Sequence, residues 1–593
     1  MKRCLLFVAC AGAAIAAAAP AHAQLTAPVR NGDTTITVTG RSTTKQTVDG
    51  KKIEMSGWRM AETPHVAVFS QGDEKRLRAT AHNLEKLHFL LSALLGRVDQ
   101  PDDTIKVAVT IIGDAAEFEH LRLTDSRWQY GPYPHEFAQT IYYDPRPEGP
   151  VLATTETDLN LILQPSRGRP SSRNCSAGED SPLVDNFPVV RPDPISNGET
   201  AEYLSQFPAN EIVVCQSANS RLYSGFAQNY LMTYFPAAYP RWFVQGFGEL
   251  FSTIVAGETS IDYGRRPEGF FKVMDRFGEY PIKHVFDGRY LTGEGRAWTP
   301  YHAWRMVHFL YFSDTWKPRL EQYLAAVAAG TDPKRAASVF GKPADLQRAV
   351  MLFRGSKAPF DRVTFPADRI PEPTIRRLTR AEAGLIRGRL EMGARIDVPD
   401  SGPNRDAALA RRTAWLERLR GNAARFPDLI ENQLLLAEAE CRAGNPAECL
   451  RAADRALAQS PAEPNAMVWK GTALTQLAMR APAGERRQRL DEARGYIVKA
   501  NRQDPDGILP LIAYYNSFAV AGDRATDVAV GGLYKVVQAV PAAPEPRLKL
   551  GEELVARDID DEARSTLLPV AKGPFETPEQ AAAAALLPKV SGR

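Results

Sequence analysis

The stretch YSGFAQNYLMTYFPAAYPRWFVQGFGELFSTI, residues 223–254, decides how the first half of this 593-residue chain is interpreted. It consists of two runs rich in apolar and aromatic residues, separated by the segment FPAAYP. Proline disfavours a helical conformation both at its own position and at the residue before it. The stretch therefore predicts two consecutive helices, over residues 218–234 and 240–256.

Strand-like segments dominate the sequence before this stretch. The segments HVAVFSQGD, TIKVAVTIIGD, TIYYD, VLATTET and NLILQ each predict a strand. Between the first two, apolar residues recur every three or four positions from Leu77 to Leu91, which predicts an amphipathic helix capped by Asp73. Further helices are predicted at 199–206, 299–313 and 317–329, and in pieces over 332–353. This order predicts an α+β domain with early strands and late helices.

Several of these segments, in this order, resemble the exported gluzincin (peptidase MA-like) metallopeptidases. The segment FPAAYPRWFVQGFGELFSTI resembles the second helix of their zinc site. GWRMAETPHVAVFSQGDEKRLRATAHNLEKLHFLL is similar to their opening strand and helix, and TPYHAWRMVHFLYFSD to a closing helix. The resemblance covers about residues 56–360 and implies a zincin-like fold, often followed by tetratricopeptide (TPR) repeats.

The residues of the zinc site are replaced in this chain. The HExxH motif, which supplies two zinc ligands and a general base, falls on Ser224, Gly225 and Gln228, and the third ligand on Gln245. Only Glu249 is retained, and the resemblance implies a structural role for it. The chain is thus interpreted as a degenerate member, with no zinc, no cofactor and no catalytic residue carried over.

The remaining histidines do not restore a metal site in the sequence. HEFAQ at 135–139 has no second histidine, and no histidine lies between His135 and His284. The pairs His82/His88 and His302/His308 are each six residues apart, so their members point away from one another on a helix. We interpret them as packing or surface residues, with a ligand role as the lesser alternative. The aromatic residues of 230–247 are interpreted as core rather than as a ligand platform.

A proline-rich segment beginning at residue 361 predicts a transition, with a helix at 379–392 and a linker ending at residue 404. Beyond it the sequence is helical and repetitive, and the prolines that close successive units, Pro461, Pro505 and Pro541, are 44 and 36 residues apart. TPR units have a period of about 34 residues. Residues 405–593 are therefore predicted to form a TPR-like solenoid, in which each helix pair buries its apolar face against the next.

The first residues have the pattern of a secretory signal, with Lys2 and Arg3 before an apolar run and a small-residue cleavage site at Ala23. Residues 1–23 are predicted to be a signal peptide, 24–55 an extended leader, and the mature protein to be periplasmic or extracellular, without a membrane segment. The net charge falls from +3 to +1 without Lys2 and Arg3, which disfavours nucleic acid as a partner.

Four cysteines remain after such a cleavage. An even number in an exported chain favours disulfide bonds, and buried free thiols are the alternative. Cys441 and Cys449 flank a turn between two helical runs, and Cys175 and Cys215 bracket a loop-like segment.

Three functional hypotheses follow. The first is a noncatalytic pseudo-metallopeptidase that binds a protein or peptide through its repeats and through the degenerate cleft. The second is a hydrolase whose ligands or catalytic residues are not recognisable in the sequence. The third is a scaffold of the cell envelope that works through the repeats alone. Polar groups clustered in the cleft would favour an occupied site, and aromatic side chains filling it would favour a scaffold.

Overall fold

A computed structural model describes residues 45–48, 51–98, 105–113, 115–123, 141–164, 212–292, 298–353, 358–399, 401–574 and 577–590. The order of elements is α+β in the first part and all-α in the second, as predicted. The predicted helix at 199–206 and the HEFAQ segment lie outside the described residues. Within them, no helix is long and apolar enough to cross a membrane.

The strands of the described residues are β1 Lys45–Val48, β2 Lys51–Glu62, β3 Val66–Ser70, β4 Val107–Ile112, β5 Ile141–Arg146, β6 Gly149–Thr155, β7 Leu159–Gln164, β8 Ile212–Gln216, β9 Val255–Ala256, β10 Ser260–Tyr263, β11 Asp361–Thr364 and β12 Thr374–Thr379. The five predicted strands correspond to β3–β7, and the other seven strands of the described residues were not predicted. The main sheet has the order β1-β2-β3-β4-β6-β5, with β12 also pairing β2. Strands β3, β4 and β6 are parallel, and β5 pairs β6 antiparallel as the edge strand.

Ten helices complete the first domain among the described residues. They are α1 Glu74–Leu94, α2 Ala115–His120, α3 Ala218–Tyr234, α4 Arg241–Ser252, α5 Phe270–Phe277, α6 Ile282–Phe286, α7 Pro300–Phe312, α8 Lys317–Ala328, α9 Pro333–Ala336 and α10 Pro343–Leu352. The boundaries of α3 agree with the prediction because Ser217 caps it, accepting from the backbone N–H groups of Asn219 and Ser220. Pro240 stands before α4, where a missing N–H costs nothing.

Three predicted boundaries do not match the structure. The helix predicted at 240–256 ends at Ser252, and residues 255–256 form β9. Strand β2 begins inside the predicted leader 24–55 and continues through residue 62. The predicted transition 361–404 contributes β11, which pairs β10, and β12, which pairs β2, before the predicted helix. The sequences of β2, β11 and β12 are rich in polar residues, so their hydrophobic pattern did not distinguish a strand from a linker.

The second part is a stack of helices. They are α11 Arg380–Ile396, α12 Arg405–Arg425, α13 Ile430–Arg442, α14 Pro446–Gln459, α15 Pro464–Met479, α16 Ala483–Gln503, α17 Ile508–Ala519, α18 Asp527–Ala539, α19 Pro544–Ala556, α20 Asp560–Ala571 and α21 Pro578–Leu586. From α13 onward, consecutive helices pack as hairpins, and the first helix of each hairpin begins 34, 44, 36 and 34 residues after the last, at residues 430, 464, 508, 544 and 578. The extra residues of the long interval lie in α16, which has 21 residues.

The first helices of successive hairpins also contact one another. Helix α13 packs against α11 and α15, α15 against α17, and α19 against α21. We call the surface formed by α11, α13, α15, α17 and α19 the inner face. The residues of α13 and α15 are all buried or only partly exposed, whereas the second helices α14 and α16 carry many exposed side chains. This is the arrangement expected of a TPR-like solenoid.

Candidate functional site

The positions on which the sequence resemblance places the zinc ligands lie in the packed interior between α3 and α4. The Ser224 hydroxyl donates a hydrogen bond to Glu249 Oε1 at 3.0 Å, and Gln228 Nε2 donates to Ser224 Oγ at 3.3 Å. Gln245 Oε1 accepts from the indole Nε1 of Trp298 at 3.3 Å. The structure thus brings Ser224, Gln228 and Glu249 into one hydrogen-bonded chain.

Gly225, on which the resemblance places the general base, faces the main sheet rather than α4. A Cβ atom at Gly225 would meet Ile141 Cδ1 at 2.4 Å, so this position packs against β5 of the sheet. Across the cluster, a Cβ atom at Gly248 would lie 2.7 Å from both Gln228 Nε2 and Ser224 Oγ. The two helices therefore approach so closely that the space beside Ser224 and Gln228 is filled by protein.

The cluster contains one titratable group, the carboxyl group of Glu249. Burial raises the pKa of Glu249 to about 7, although the hydroxyl groups of Ser224 and Ser252 act in the opposite direction. Gln228 Oε1 is buried and accepts no hydrogen bond from the described residues. The arrangement offers one carboxyl group with neutral partners, and neither the imidazoles nor the paired charges that zinc binding requires.

The aromatic residues of this region form core, as the sequence indicated. Trp242 and Phe243 are almost completely buried, and the Trp242 ring packs edge-on against Phe286. The polar cluster and the aromatic packing thus coexist: Ser224, Gln228 and Gln245 are buried, and Glu249 is partly exposed.

A second polar cluster, which the sequence analysis missed, lies between β3 and α1. Glu85 Oε1 lies 2.6 Å from His65 Nδ1, and Glu85 Oε2 accepts from the His65 backbone N–H at 3.3 Å. The His88 ring stacks on the His65 ring, with centroids 3.6 Å apart and planes 12° apart. The spacing of Glu85 and His88 at i and i+3 on one helix was a signal that could have indicated this pair.

The electrostatics of this second cluster favour an ionised Glu85 carboxylate, hydrogen-bonded to His65, and a neutral His88 imidazole. Burial raises the pKa of Glu85, but the hydrogen bond and charge of His65 outweigh it, and the net pKa is lowered. Burial lowers the pKa of His88 to about 3, so its ring is neutral at ordinary pH. Both histidines line a cavity of about 40 Å³ together with Tyr230 and Tyr234.

The same three residues offer metal-ligand atoms that lie within 4.8 Å of one another. A metal ion, however, binds an imidazole nitrogen in the plane of the ring, and two nearly parallel stacked rings do not share such a point. One ring would have to leave the stack before both could bind. The observed geometry therefore does not fit a ready-made metal centre.

The other candidate histidines have structural partners. His82 Nδ1 lies 3.3 Å from Glu372 Oε1, and His302 Nε2 lies 2.8 Å from the carbonyl oxygen of Gly278. His308 Nε2 lies 2.9 Å from the carbonyl oxygens of Gly264 and Pro359. These contacts agree with the interpretation of His82, His302 and His308 as packing residues.

The predictions for the two pairs of cysteines have different outcomes. Cys441 and Cys449 form a disulfide bond between α13 and α14, as predicted. Cys215 is also disulfide-bonded, with a partner outside the described residues. Cys175, its predicted partner, lies outside those residues too, so that pairing remains a prediction.

A third region of interest is the junction between the sheet and the inner face of the solenoid. The segment before β4 reaches this face, where Ile105 packs against the apolar cluster of Ile512, Val536 and Val540. Two cavities of about 40 Å³ each lie at the junction, and both are lined by Pro145 from the sheet and by Pro541 and Ala542 from the solenoid. Each has room for about three water molecules.

The turn between β5 and β6 enters this junction. The Arg146 guanidinium donates to the backbone carbonyl of Leu390 at 3.1 Å and to that of Arg389, both in α11. Its Nε donates to the Asp144 carboxylate. Glu148, two residues further, forms an ion pair with Arg442 at the end of α13. We call residues 144–149 the docked turn.

Comparisons with known proteins add little to this geometry. No protein-family model and no curated protein matches the chain. Among solved structures, one match is TTC0263, a thermophilic TPR protein of Thermus thermophilus. It is 20% identical with a TM-score of 0.26, and the match covers 31% of this chain and 92% of that chain. At that score it carries no argument, and the TPR-like description rests on the helix packing.

Proposed function

We propose that this protein is an exported, noncatalytic protein-binding module that holds a polypeptide segment on the inner face of its helical repeats. The observation that carries the proposal is the docked turn. The inner face contacts this stretch through hydrogen bonds from Arg146 to backbone carbonyls and through the ion pair of Glu148 with Arg442. The inner face thus already has the chemistry that recognition of a polypeptide requires.

The packing of α3 against α4 supports the noncatalytic part of the proposal. Hydrolysis by a zinc peptidase needs a metal-bound water beside a general base. Here the corresponding space is occupied, with Ser224 and Gln228 in close range of Gly248, and the base position Gly225 faces the sheet. The degenerate positions act in this proposal as part of the domain core.

A hydrolase that works at His65 is the second candidate. It is favoured by one observation, the hydrogen bond of His65 to Glu85 beside a cavity, because a carboxylate that orients a histidine is a common device of general-base catalysis. No serine or cysteine is among the described residues that line this cavity. A reaction there would use water or the hydroxyl of Thr233, which also lines the cavity, as its nucleophile.

The test has a chemical and a binding part. The purified full chain is assayed for metal content by elemental mass spectrometry and for hydrolysis of unstructured protein substrates. We expect only background metal and no turnover. Stoichiometric zinc, or turnover that disappears in His65→Gln, would favour the hydrolase.

The binding part screens the full chain against random peptides displayed on phage. We expect selected peptides to bind the wild-type chain and to lose binding in Arg442→Gln, because that guanidinium lies on the inner face. Lys535→Gln on α18 serves as the matched control, since Lys535 forms an exposed ion pair with Asp506 away from the junction. If no peptide binds in an Arg442-dependent manner, the proposed function is wrong.

A further inference from the structure

The docked turn contacts helices that are far apart in the sequence. Arg146 reaches α11, Glu148 reaches the end of α13, and Pro145 lies beside the α18–α19 loop at both junction cavities. The Arg442 guanidinium is also close enough to Glu545 of α19 for their charges to interact. A single short turn of the sheet domain thus lies where three parts of the inner face converge.

The charged contact of this turn is held loosely. The side chain of Glu148 is 23% exposed and that of Arg442 is 26% exposed, so water reaches both partners. Burial nevertheless raises the pKa of Glu148 to about 6, against the lowering effect of Arg442. Removing a carboxylate from water costs free energy that its partner only partly offsets. A competing carboxylate at Arg442 therefore replaces the Glu148 contact alone, and Arg146 still holds the turn on α11.

Arg442 keeps other neighbours when Glu148 leaves. Its Nε lies 3.0 Å from Glu438 Oε1 on the same helix. Glu545 is itself paired with Lys549 at 2.7 Å. A carboxylate from another chain would restore the charge that Glu148 now supplies, whereas a neutral or cationic group would not.

A second cation at the junction has no carboxylate partner among the described residues. Arg547, in the first turn of α19, donates from Nε to the carbonyl oxygen of Pro541 at 2.7 Å. It lines the second junction cavity, beside Tyr143 and Pro145 of the edge strand. Burial lowers the pKa of Arg547 to about 10. A guanidinium can bind a carboxylate in a bidentate manner. The cavity beside Arg547 is about the size of one carboxylate group.

We propose that the docked turn is an intramolecular stand-in for the partner, and that the partner is an acidic polypeptide segment. One of its carboxylates takes the place of Glu148 at Arg442, and another binds Arg547. This inference rests on the proposed function and specifies the partner class and the contact that limits its access. It also explains why the turn carries an acidic residue at the point where it meets α13.

The experiment uses a fluorescent peptide of residues 143–150, YDPRPEGP, as the probe, and full-length chains as the receptors. Anisotropy titrations measure its affinity for the wild-type chain and for Glu148→Gln, Arg442→Gln and Lys535→Gln. Breaking the intramolecular pair should free the Arg442 guanidinium for a carboxylate of the probe, so we expect Glu148→Gln to bind about tenfold more tightly than the wild type. Arg442→Gln should bind more weakly than either, and Lys535→Gln should behave as the wild type.

A second probe carries Glu in place of Tyr143, the residue that lies beside Arg547 in the second cavity. We expect it to bind the Glu148→Gln chain more tightly than the first probe does. That gain should disappear when Arg547→Gln is added. Melting curves of every variant establish that the receptors are folded.

If the turn competes with a partner, Glu148→Gln should raise the affinity for the probe and Arg442→Gln should lower it. A purely structural contact would make Glu148→Gln and Arg442→Gln change affinity in the same direction or not at all, and either result overturns the inference. If peptides from the phage screen bind through Arg442 but are not acidic, the proposed function stands and this inference is wrong. If neither screened peptides nor probes bind, both are wrong.

Discussion

The polar cluster between α3 and α4 and the junction at the inner face are both rich in polar side chains, but they are built differently. In the first, Ser224, Gln228 and Glu249 contact one another across two adjacent helices, and glycine at position 248 lets the helices close upon them. In the second, Glu148 and Arg442 come from different domains, and cavities remain on both sides of Pro541.

The difference shows where binding is still available in this molecule. The cluster between α3 and α4 is closely packed beside Ser224 and Gln228, although Gln228 Oε1 accepts no hydrogen bond from the described residues. A junction between domains buries polar groups incompletely and leaves them accessible to a competitor. The region between α3 and α4 is thus the more closely packed one, and the junction between the domains is the candidate for binding.

The largest expected effect tests the close packing of α4, the helix that carries Glu249, against α7. A Cβ atom at Gly246 would lie 2.4 Å from the Ala303 carbonyl oxygen of α7 and 2.3 Å from Val307. Because backbone cannot move aside easily, we expect Gly246→Ala to lower the free energy of unfolding by about 3 kcal/mol. Denaturant unfolding measures the change.

The control is Gly421→Ala, in the interior of α12, where an added Cβ would meet nothing within 4 Å. Alanine has the higher helix propensity, so we expect this variant to be up to about 1 kcal/mol more stable than the wild type. Equal stability of the two variants would mean that α4 and α7 are not in close contact.

The second effect concerns the solenoid alone. The disulfide between Cys441 and Cys449 closes a short loop across α13 and α14. We expect the double variant Cys441→Ser/Cys449→Ser to lose about 2–3 kcal/mol, since the unfolded chain regains its conformational freedom. Urea unfolding with and without a reductant provides the measurement, and the variant should not respond to the reductant through this bond.

The third effect tests the environment of Glu249. Its pKa is raised from an ordinary 4.5 to about 7, so the folded chain binds more protons than the unfolded chain between these values. Stability from this group is therefore lost as the pH rises through that window. We expect Glu249→Gln to be more stable than the wild type by about 1–3 kcal/mol at about pH 8, and equally stable at about pH 4.

Buried histidines change the stability with pH in the opposite direction, so their contribution must be separated from that of Glu249. Burial lowers the pKa of His302 and of His308 to about 4, so these groups make stability rise with pH between about 4 and 6.5. Both histidines are present in the wild type and in Glu249→Gln, so their contributions cancel when the two free energies of unfolding are subtracted. Glu119→Gln, at an exposed position in α2, is the matched control and should give no pH-dependent difference. A constant difference for Glu249→Gln would place its carboxyl group in water.

The smallest effect concerns the junction. Because both side chains of the Glu148–Arg442 pair are partly exposed, we expect Glu148→Gln to change the free energy of unfolding by less than about 1 kcal/mol. If Glu148→Gln lowered the free energy of unfolding by several kcal/mol, the proposed difference between the two regions would be wrong. The docked turn would then be held as firmly as the cluster at Glu249.

The sequence by itself determined the local elements and their spacing. The ends of α3 followed from the serine before it and the prolines after it, and the repeat period followed from Pro461, Pro505 and Pro541. The proximity of Cys441 and Cys449 followed from the turn between them. These features depend on residues within a few positions of one another, where capping, proline geometry and helical periodicity act.

Only the tertiary structure decided which distant residues meet. It paired β12 with β2 and stacked His65 on His88. It also brought Glu148 to Arg442 across almost 300 positions and left Arg547 without a carboxylate partner among the described residues. Contacts of this kind depend on how whole helices and sheets pack, and packing is set by the summed burial of many side chains. A local sequence pattern does not predict this packing, so the candidate binding surface could be identified only from the tertiary structure.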